Sequence, residues 1–227
     1  MSQRLDPYRA ALPPQDIVVL GAGGHAKVVA QSLRRSGGWH IVGFIDEHDP
    51  ARAGEAFCGA AVLGGRTALH GLREQGVSAV AIAFGDNRAR LALDAALAAQ
   101  GWQRPAIVDP TAQVADDVRL GPGCYVAAGA IVEPGSSLGR QVIVNSAAVV
   151  CHDAVIGEGV HLCPASCLGG HVQVGPRSWI GIGSVLRDRV CIGADVVIGA
   201  GSLVLGDVPH GVVAYGHPAQ VITKAQP

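Results

Sequence analysis

Residues 139–169 read GRQVIVNSAAVVCHDAVIGEGVHLCPASCLG, and within them Val144, Val150, Ile156, Leu162 and Leu168 recur at a fixed spacing of six. The spacing runs on unbroken in both directions, back through Leu138, Val132, Val126, Leu120 and Val114 to Val108, and forward through Val174, Ile180, Leu186, Ile192 and Ile198 to Val204, seventeen positions in all. A period of six fits neither the 3.6-residue turn of an α-helix nor the two-residue alternation of a simple strand. It fits a solenoid that turns a corner every six residues and buries one aliphatic side chain on each flat side. Three sides close a coil of eighteen residues, so seventeen sides make a little under six coils.

Two residues before each aliphatic the side chain is small or is valine, as at Ala112, Cys124, Ala130, Ser136, Ala148, Ser166, Ser178, Ser184 and Ser202, which suits the inside of a narrow prism. Glycines directly after the aliphatic, at Gly121, Gly139, Gly157, Gly169, Gly175, Gly181, Gly193 and Gly199, are expected at corners where a side chain would restrict the backbone. Residues 108 to about 206 are therefore expected to form a parallel β-helix. Its left hand follows only from similarity to hexapeptide-repeat proteins.

The first half has a different grammar. An apolar run, Ile17 to Leu20, enters Gly21, Gly23 and Gly24; Ala26 to Leu33 then carries apolar residues at helical spacing, and a second strand, His40 to Ile45, ends at Asp46 and Glu47. This βαβ order lets a glycine turn bring backbone N–H groups to a phosphate, while an acid after the second strand faces a ribose or base. Asp46 lies 25 residues beyond Gly21, close to the expected interval. GAGGHAK lacks a third glycine at the fingerprint position, which is Ala26. A helix from Arg66 to Gln75, a strand from Ala79 to Phe84, the turn Gly85-Asp86-Asn87-Arg88, a helix to Gln100 and a strand around Pro105 to Val108 complete a small Rossmann-like domain suited to one nucleotide. The expected division is residues 1–107 and 108–227. His25 opens the first helix, either toward a ligand held by the turn or toward water.

Composition narrows the partners. Charged residues make up 15% of the chain and the formal charge is −1, which leaves no electrostatic footprint for nucleic acid or an anionic membrane. No apolar run approaches the eighteen residues that span a bilayer, and the opening MSQRLDPYRA lacks the pattern of a secretory signal. The expected compartment is the cytoplasm, where the six cysteines stay reduced. Cys124, Cys151, Cys163, Cys167 and Cys191 fall within the repeat and read as small fillers of the coil walls. Cys163 and Cys167 have no second pair at zinc-ribbon spacing.

The eighteen-residue coil turns histidine numbers into geometry. Gly170 stands one coil from His152, at about the 4.8 Å separation of neighbouring strands. His161 stacks between Ile143 and Trp179, and Cys163 over Asn145. Asp153 follows His152 at a corner, and the Gly170 amide is free of a side chain that would block a thioester carbonyl. An imidazole base beside an oxyanion donor is the equipment of acyl transfer. His40, His48 and His70 read as surface residues. Consecutive spacings of nine and ten from His152 to His161 to His171 do not match the hexapeptide-repeat carbonic anhydrases, so no metal is expected.

With these features in place, the chain resembles the sialic-acid and bacillosamine type of sugar O-acyltransferase, a family that includes hexapeptide-repeat N-acetyltransferases of nucleotide-linked amino sugars. The matching segments are VVLGAGGHAKVV, GFIDE, AIAFGDNRAR, NSAAVVCHDAVIGEGVHLCPASCLGG and AYGHPAQVI, in that order. The resemblance implies that Gly21, Gly23 and Gly24 hold the diphosphate, that Asp46 and Glu47 lie near the base, and that the Asn87 turn closes the pocket. It implies acetyl-coenzyme A between subunits of a homotrimer, with Gly170 donating to the thioester oxygen and Gly181, Ile182, Gly199 and Ala200 along the pantetheine arm. His152 is then the general base, and Asn145 and His161 line the acceptor or donor side. Two positions depart from the family pattern: Asp153 where Glu is frequent, and Gln220 where Gly-x-Pro-Ala is frequently followed by Lys. The implied reaction is acetyl transfer to the amine of a nucleotide-linked sugar. O-acetylation of a free sugar such as a sialic acid, or a noncatalytic nucleotide-sugar scaffold, are the alternatives.

Overall fold

The computed structural model describes residues 14–224; the opening segment read above for a secretory pattern and the last three residues lie outside the described residues. In chain order the first half comprises β1 (Gln15–Leu20), α1 (Gly24–Ser36), β2 (Trp39–Ile45), β3 (Ala56–Phe57), β4 (Ala60–Ala61), α2 (Ala68–Glu74), β5 (Ala79–Ile82) and α3 (Asn87–Ala99). β1, β2 and β5 form a parallel sheet in the order β2-β1-β5. Strands buried on both faces need apolar residues at every position, and Ile17, Val18, Val19 and Leu20 are all at most 2% exposed. Ile17 and Val19 pack with α1, whereas Val18 and Leu20 pack with Leu69 and Leu72 of α2 and Leu93 and Leu97 of α3.

The structure adjusts the expected elements. α1 starts two residues early, at Gly24, and stops at Gly37, which takes the left-handed conformation (φ 70°) that ends helices. The β3–β4 hairpin went unread because two-residue strands carry no period. Residues 107–108 form a strand, but it pairs with Tyr125–Val126 and so begins the solenoid rather than closing the α/β sheet.

From residue 107 onward the chain is a three-sided parallel solenoid. Two-residue strands alternate among three sheets, so that one sheet runs through 113–114, 131–132, 149–150, 167–168, 185–186 and 203–204, and each strand pairs with the one eighteen residues on. The second sheet has five strands; the third has six from the repeat and is extended by the antiparallel pair Val212–Gly216 and Ala219–Lys224. That makes the expected seventeen sides.

The repeated aliphatics face inward: Val126, Val144, Leu162, Leu168, Ile180 and Ile198 are fully buried in one continuous column with the small residues two positions earlier. Burying such a side chain contributes about 1.5–3 kcal/mol. Three interior serines, Ser136, Ser178 and Ser184, donate to backbone carbonyls fifteen residues on, Ser178 to Gly193 O at 2.7 Å and Ser184 to Gly199 O at 2.9 Å, whereas the buried Ser166 hydroxyl has no partner.

The glycine expectation was right in position and wrong in cause. The glycines after each aliphatic are needed for closeness: a Cβ at Gly157 would stand 2.6 Å from the Pro176 nitrogen in the next coil. The left-handed corner lies two residues later and is filled by glycine at Gly123, Gly129, Gly135, Gly159, Gly183 and Gly201 but by other residues elsewhere, among them Gln141, Asp153, His171, Arg177 and Asp195.

The cysteine expectation holds in part: Cys124 lies in the interior column and Cys163 is buried, while Cys167 and Cys191 occupy the outward strand position, half-buried and exposed.

Candidate active site

A cleft of about 670 Å³ opens where the carboxyl ends of β1, β2 and β5 meet the N-terminus of α1, the place where parallel α/β sheets bind ligands. Gly21, Gly23, Gly24, His25, Asp46 and Glu47 all line it. Gly21 is required by the fold itself, since it has φ 125° and a Cβ there would meet Ala83 O at 2.7 Å. Gly23 and Gly24 face open space on the cleft side, so nothing in the chain demands glycine at either position. Asp46 is largely committed: it accepts from the His48 and Asp49 amides and from Arg52 at 2.7 Å. These bonds hold its carboxyl below the usual carboxylate range against the opposing effect of burial. Glu47 pairs with Arg66 at 2.7 Å.

At the inner end of the cleft the α/β unit meets the solenoid, and a histidine pair sits in the seam. His161 is 5% exposed, and its ring lies 4.3 Å from that of Trp179 and 6.2 Å from that of His25. The register Ile143–His161–Trp179 is as expected. The Asn145 amide nitrogen lies 3.0 Å from His161 Nε2; with the amide donating, the ring proton is on Nδ1, which is buried without a partner. His25 does not face water: its ring meets Tyr125 edge-on at 5.5 Å, and its Nε2 is likewise buried and unpartnered. Burial and then the Arg90 charge lower the His25 pKa to about 4. Burial, Arg90 and His25 lower that of His161 to about 3, so both are neutral imidazoles near pH 7.

The turn that carries Asn87 lines the cleft as expected, but the Asn87 side chain points elsewhere. Its amide donates to the carbonyls of Arg177 and Ser178, and its oxygen accepts from Arg90, so it fastens α3 to the solenoid while Gly85 and Asp86 line the cleft. Arg90, which sequence reasoning passed over, is fully buried and donates to the carbonyls of Phe84, Gly85, Gln141 and Gly159. It thereby fixes the 84–87 turn against two successive coils. A single arginine in a helix gives no sequence sign of such burial.

The other expected pair lies elsewhere. His152 and Asp153 occupy the corner between the strands 149–150 and 155–156. His152 Nδ1 is 2.8 Å from Asp153 Oδ2, so the shorter carboxylate reaches the ring, and the His152 amide donates to Glu133 at 2.9 Å. The Nδ1–H tautomer leaves Nε2 free as a base. The ring leans over Gly170, as the eighteen-residue coil demands: a Cβ on Gly170 would lie 2.6 Å from His152 Nε2. The Gly169 and His171 amides bond to Leu186 O and His152 O, and the Gly170 carbonyl accepts from the Arg189 amide at 2.9 Å, while the Gly170 N–H makes no backbone bond. A missed neighbour is His171, whose Nε2 is 3.7 Å from Asp153 Oδ2 and whose ring meets that of His152 at 5.1 Å. Comparing only consecutive histidines concealed it; adding eighteen to 153 finds it.

These two groups occupy different corners of the prism. Asn145 turns from strand 143–144 to strand 149–150, one corner before His152, and His161 lies on the face that carries the α/β unit. Ile182 and Ala200 also sit exposed at the Asn145 corner, whereas Gly181 and Gly199 are glycine because a Cβ would meet the Ala200 nitrogen and Tyr215 Cβ, each at 2.6 Å.

Residues 16–97 match the PglD N-terminal domain, and residues 171–206 the bacterial transferase hexapeptide family of six repeats. PerB from Caulobacter crescentus, whose structure is in complex with CoA and GDP-perosamine, is 42% identical over 91% of this chain and 97% of its own, with a TM-score of 0.86. The acetyltransferase domain of PglB from Neisseria gonorrhoeae, in complex with acetyl coenzyme A, is 34% identical over 92% of this chain and 100% of its own, with a TM-score of 0.87. Among curated proteins, galactoside O-acetyltransferase from Lactococcus lactis is 50% identical over 46 residues, 20% of this chain and only 22% of that protein's length. No helix among the described residues is long and apolar enough to cross a membrane.

Proposed function

Because the chain belongs to the family of hexapeptide-repeat sugar N-acetyltransferases with a PglD-type N-terminal domain, we propose that it moves the acetyl group of acetyl-CoA onto the amine of a nucleotide-linked amino sugar. The observation that carries this reading is His152, oriented at Nδ1 by Asp153 with Nε2 open above the bare Gly170 backbone. The sugar amine attacks the thioester carbonyl, and His152 Nε2 takes the proton the amine loses. The Gly170 N–H stabilises the oxyanion, and as the C–S bond breaks His152 returns a proton to the CoA sulfur. A neutral amine is a strong nucleophile, so positioning and a base worth about 10²- to 10⁴-fold suffice without an acyl-enzyme. Burial and the Glu133 charge raise the Cys151 pKa, which argues against a thiolate nucleophile there.

In this reading residues 1–107 hold the nucleotide sugar, with the diphosphate on the open backbone of Gly23 and Gly24 and at the α1 N-terminus. Asp46 and Glu47 stand at the base end, and the sugar reaches toward the unpartnered nitrogens of His25 and His161 beside Asn145. Residues 108–227 carry the transfer. Since the cleft is lined by the α/β unit alone, while His152 stands one corner of the prism beyond Asn145 and the face that carries that unit, a complete site takes the cleft of one subunit and the His152 corner of another. That supports a homotrimer with acetyl-CoA lying between prisms, past Gly170 on one and Gly181, Ile182, Gly199 and Ala200 on its neighbour. The outward residues Ile131, Val149, Cys167, Val185 and Leu203 form an apolar, partly exposed column on the sheet between these corners.

The test is a panel of amino-sugar nucleotides incubated with acetyl-CoA and read by mass spectrometry. Gain of one acetyl group on one member, lost in His152→Ala, supports the reading. Acetylation that continues at the wild-type rate in that variant removes His152 from its role, and acetylation of free sugars in place of nucleotide sugars overturns the substrate class.

A further inference from the structure

Three donor groups converge at the His152 corner. One donor atom each from His152, Asp153 and His171 lies within 4.8 Å of the other two. The separations are 2.8 Å from His152 Nδ1 to Asp153 Oδ2 and 3.7 Å from His171 Nε2 to the same oxygen. An ion held at about 2.0–2.2 Å from imidazole nitrogen and carboxylate oxygen spans donors about 3–4 Å apart. The backbone sets this arrangement, because Asp153 and His171 occupy the left-handed corner position of successive coils, at φ 57° each, and the His171 amide donates to His152 O at 2.9 Å. The three side chains are 56%, 50% and 45% exposed in the single chain, so the fold of one subunit leaves them open to an ion.

We propose that His152, Asp153 and His171 bind one transition-metal dication of the zinc or nickel class, and that its binding switches off acetyl transfer. The inhibitory half rests on the reading of His152 as the base. In the active tautomer the Nδ1 proton is shared with Asp153 and Nε2 is bare. A cation on Nδ1 takes the place of that proton, which moves through water to Nε2, so the ring keeps its hydrogen but has no lone pair left for the amine. Two imidazoles and one carboxylate favour borderline cations over Mg²⁺ or Ca²⁺, which prefer all-oxygen sites. The acetyl-transfer reaction needs no metal, so the cation acts as a brake.

The experiment uses the full chain as purified and freed of metal by chelation. Co²⁺ binding is followed by its visible absorption and by equilibrium dialysis, and Zn²⁺ inhibition by CoA release. His171→Asn suits the left-handed corner and is a poor ligand, and His171→Gly is the second variant. We expect one cation per chain, affinity about 10-fold or more weaker in both variants, and an equal shift in the inhibition constant, measured for each variant against its own uninhibited rate. Absence of stoichiometric binding, or binding that both variants leave unchanged, overturns the site. Binding that depends on His171 while saturated enzyme turns over normally keeps the site and overturns His152 as the base.

Discussion

Gly170→Ala isolates the contact on which the chemistry turns. The added methyl would stand 2.6 Å from Nε2, 2.7 Å from Cε1 and 3.3 Å from Cδ2 of His152, so the ring must leave its place. The move is cheap for the fold: the His152 side chain is 56% exposed, and Gly170 is not among the residues with positive φ, so alanine fits its backbone. Stability should therefore change by no more than about 0.5 kcal/mol. Losing the aligned base should lower kcat by about 10²-fold, equivalent to about 2.7 kcal/mol in the barrier. Steady-state CoA release with an amino-sugar nucleotide and a thermal melt measure the two quantities separately. The double variant with His152→Ala should be no slower than His152→Ala alone, because both changes remove one interaction. A melt that drops with activity intact would refute the reasoning, as would fully additive losses in the double variant.

Arg90→Ala leaves several buried carbonyls without a donor and should destabilise the protein by about 3–5 kcal/mol in urea unfolding. Leu168→Ala opens a cavity in the interior column and should cost about 2–5 kcal/mol by the same assay. His25 and His161 have folded pKa values of about 4 and about 3, below the ordinary 6.5, so the unfolded chain binds their protons first. Their stabilising effect is complete above pH 6.5 and falls by about 1.4 kcal/mol per histidine per pH unit below it, down toward the folded values; His161→Gln should flatten that slope in denaturation curves taken from pH 7 to 4. Val185→Asp places a charge on the exposed apolar column and should shift sedimentation from trimer toward monomer; an unchanged profile counts against that face as the subunit contact.

The solenoid was legible because its rule is periodic: one aliphatic in six, with a small residue two places earlier, leaves only one way to bury the column. Gly170 over His152 followed from the same count, as did Trp179 beside His161. His171 was within reach of that count and was missed by comparing neighbours in sequence only. What the period did not reveal was why each glycine is there, since closeness between coils and a left-handed corner look alike in a string of letters. Cys167 and Cys191 were misplaced for a related reason, because a small residue beside the repeat occupies the wall or the outside according to a one-residue offset.

From residue order alone came the βαβ start, the coil length and the pairing of His152 with Gly170, all of which depend on local spacing. Only tertiary packing decided that Arg90 is buried, that the Asn87 side chain binds the solenoid, that His25 and His161 meet in one seam, and that Asn145 and His152 stand on separate corners. Those outcomes depend on how the α/β unit sits against the prism, and that placement is set by contacts between residues some fifty to ninety apart, such as Arg90 with Gln141 and Asn87 with Arg177. No periodic signal in the chain encodes such contacts.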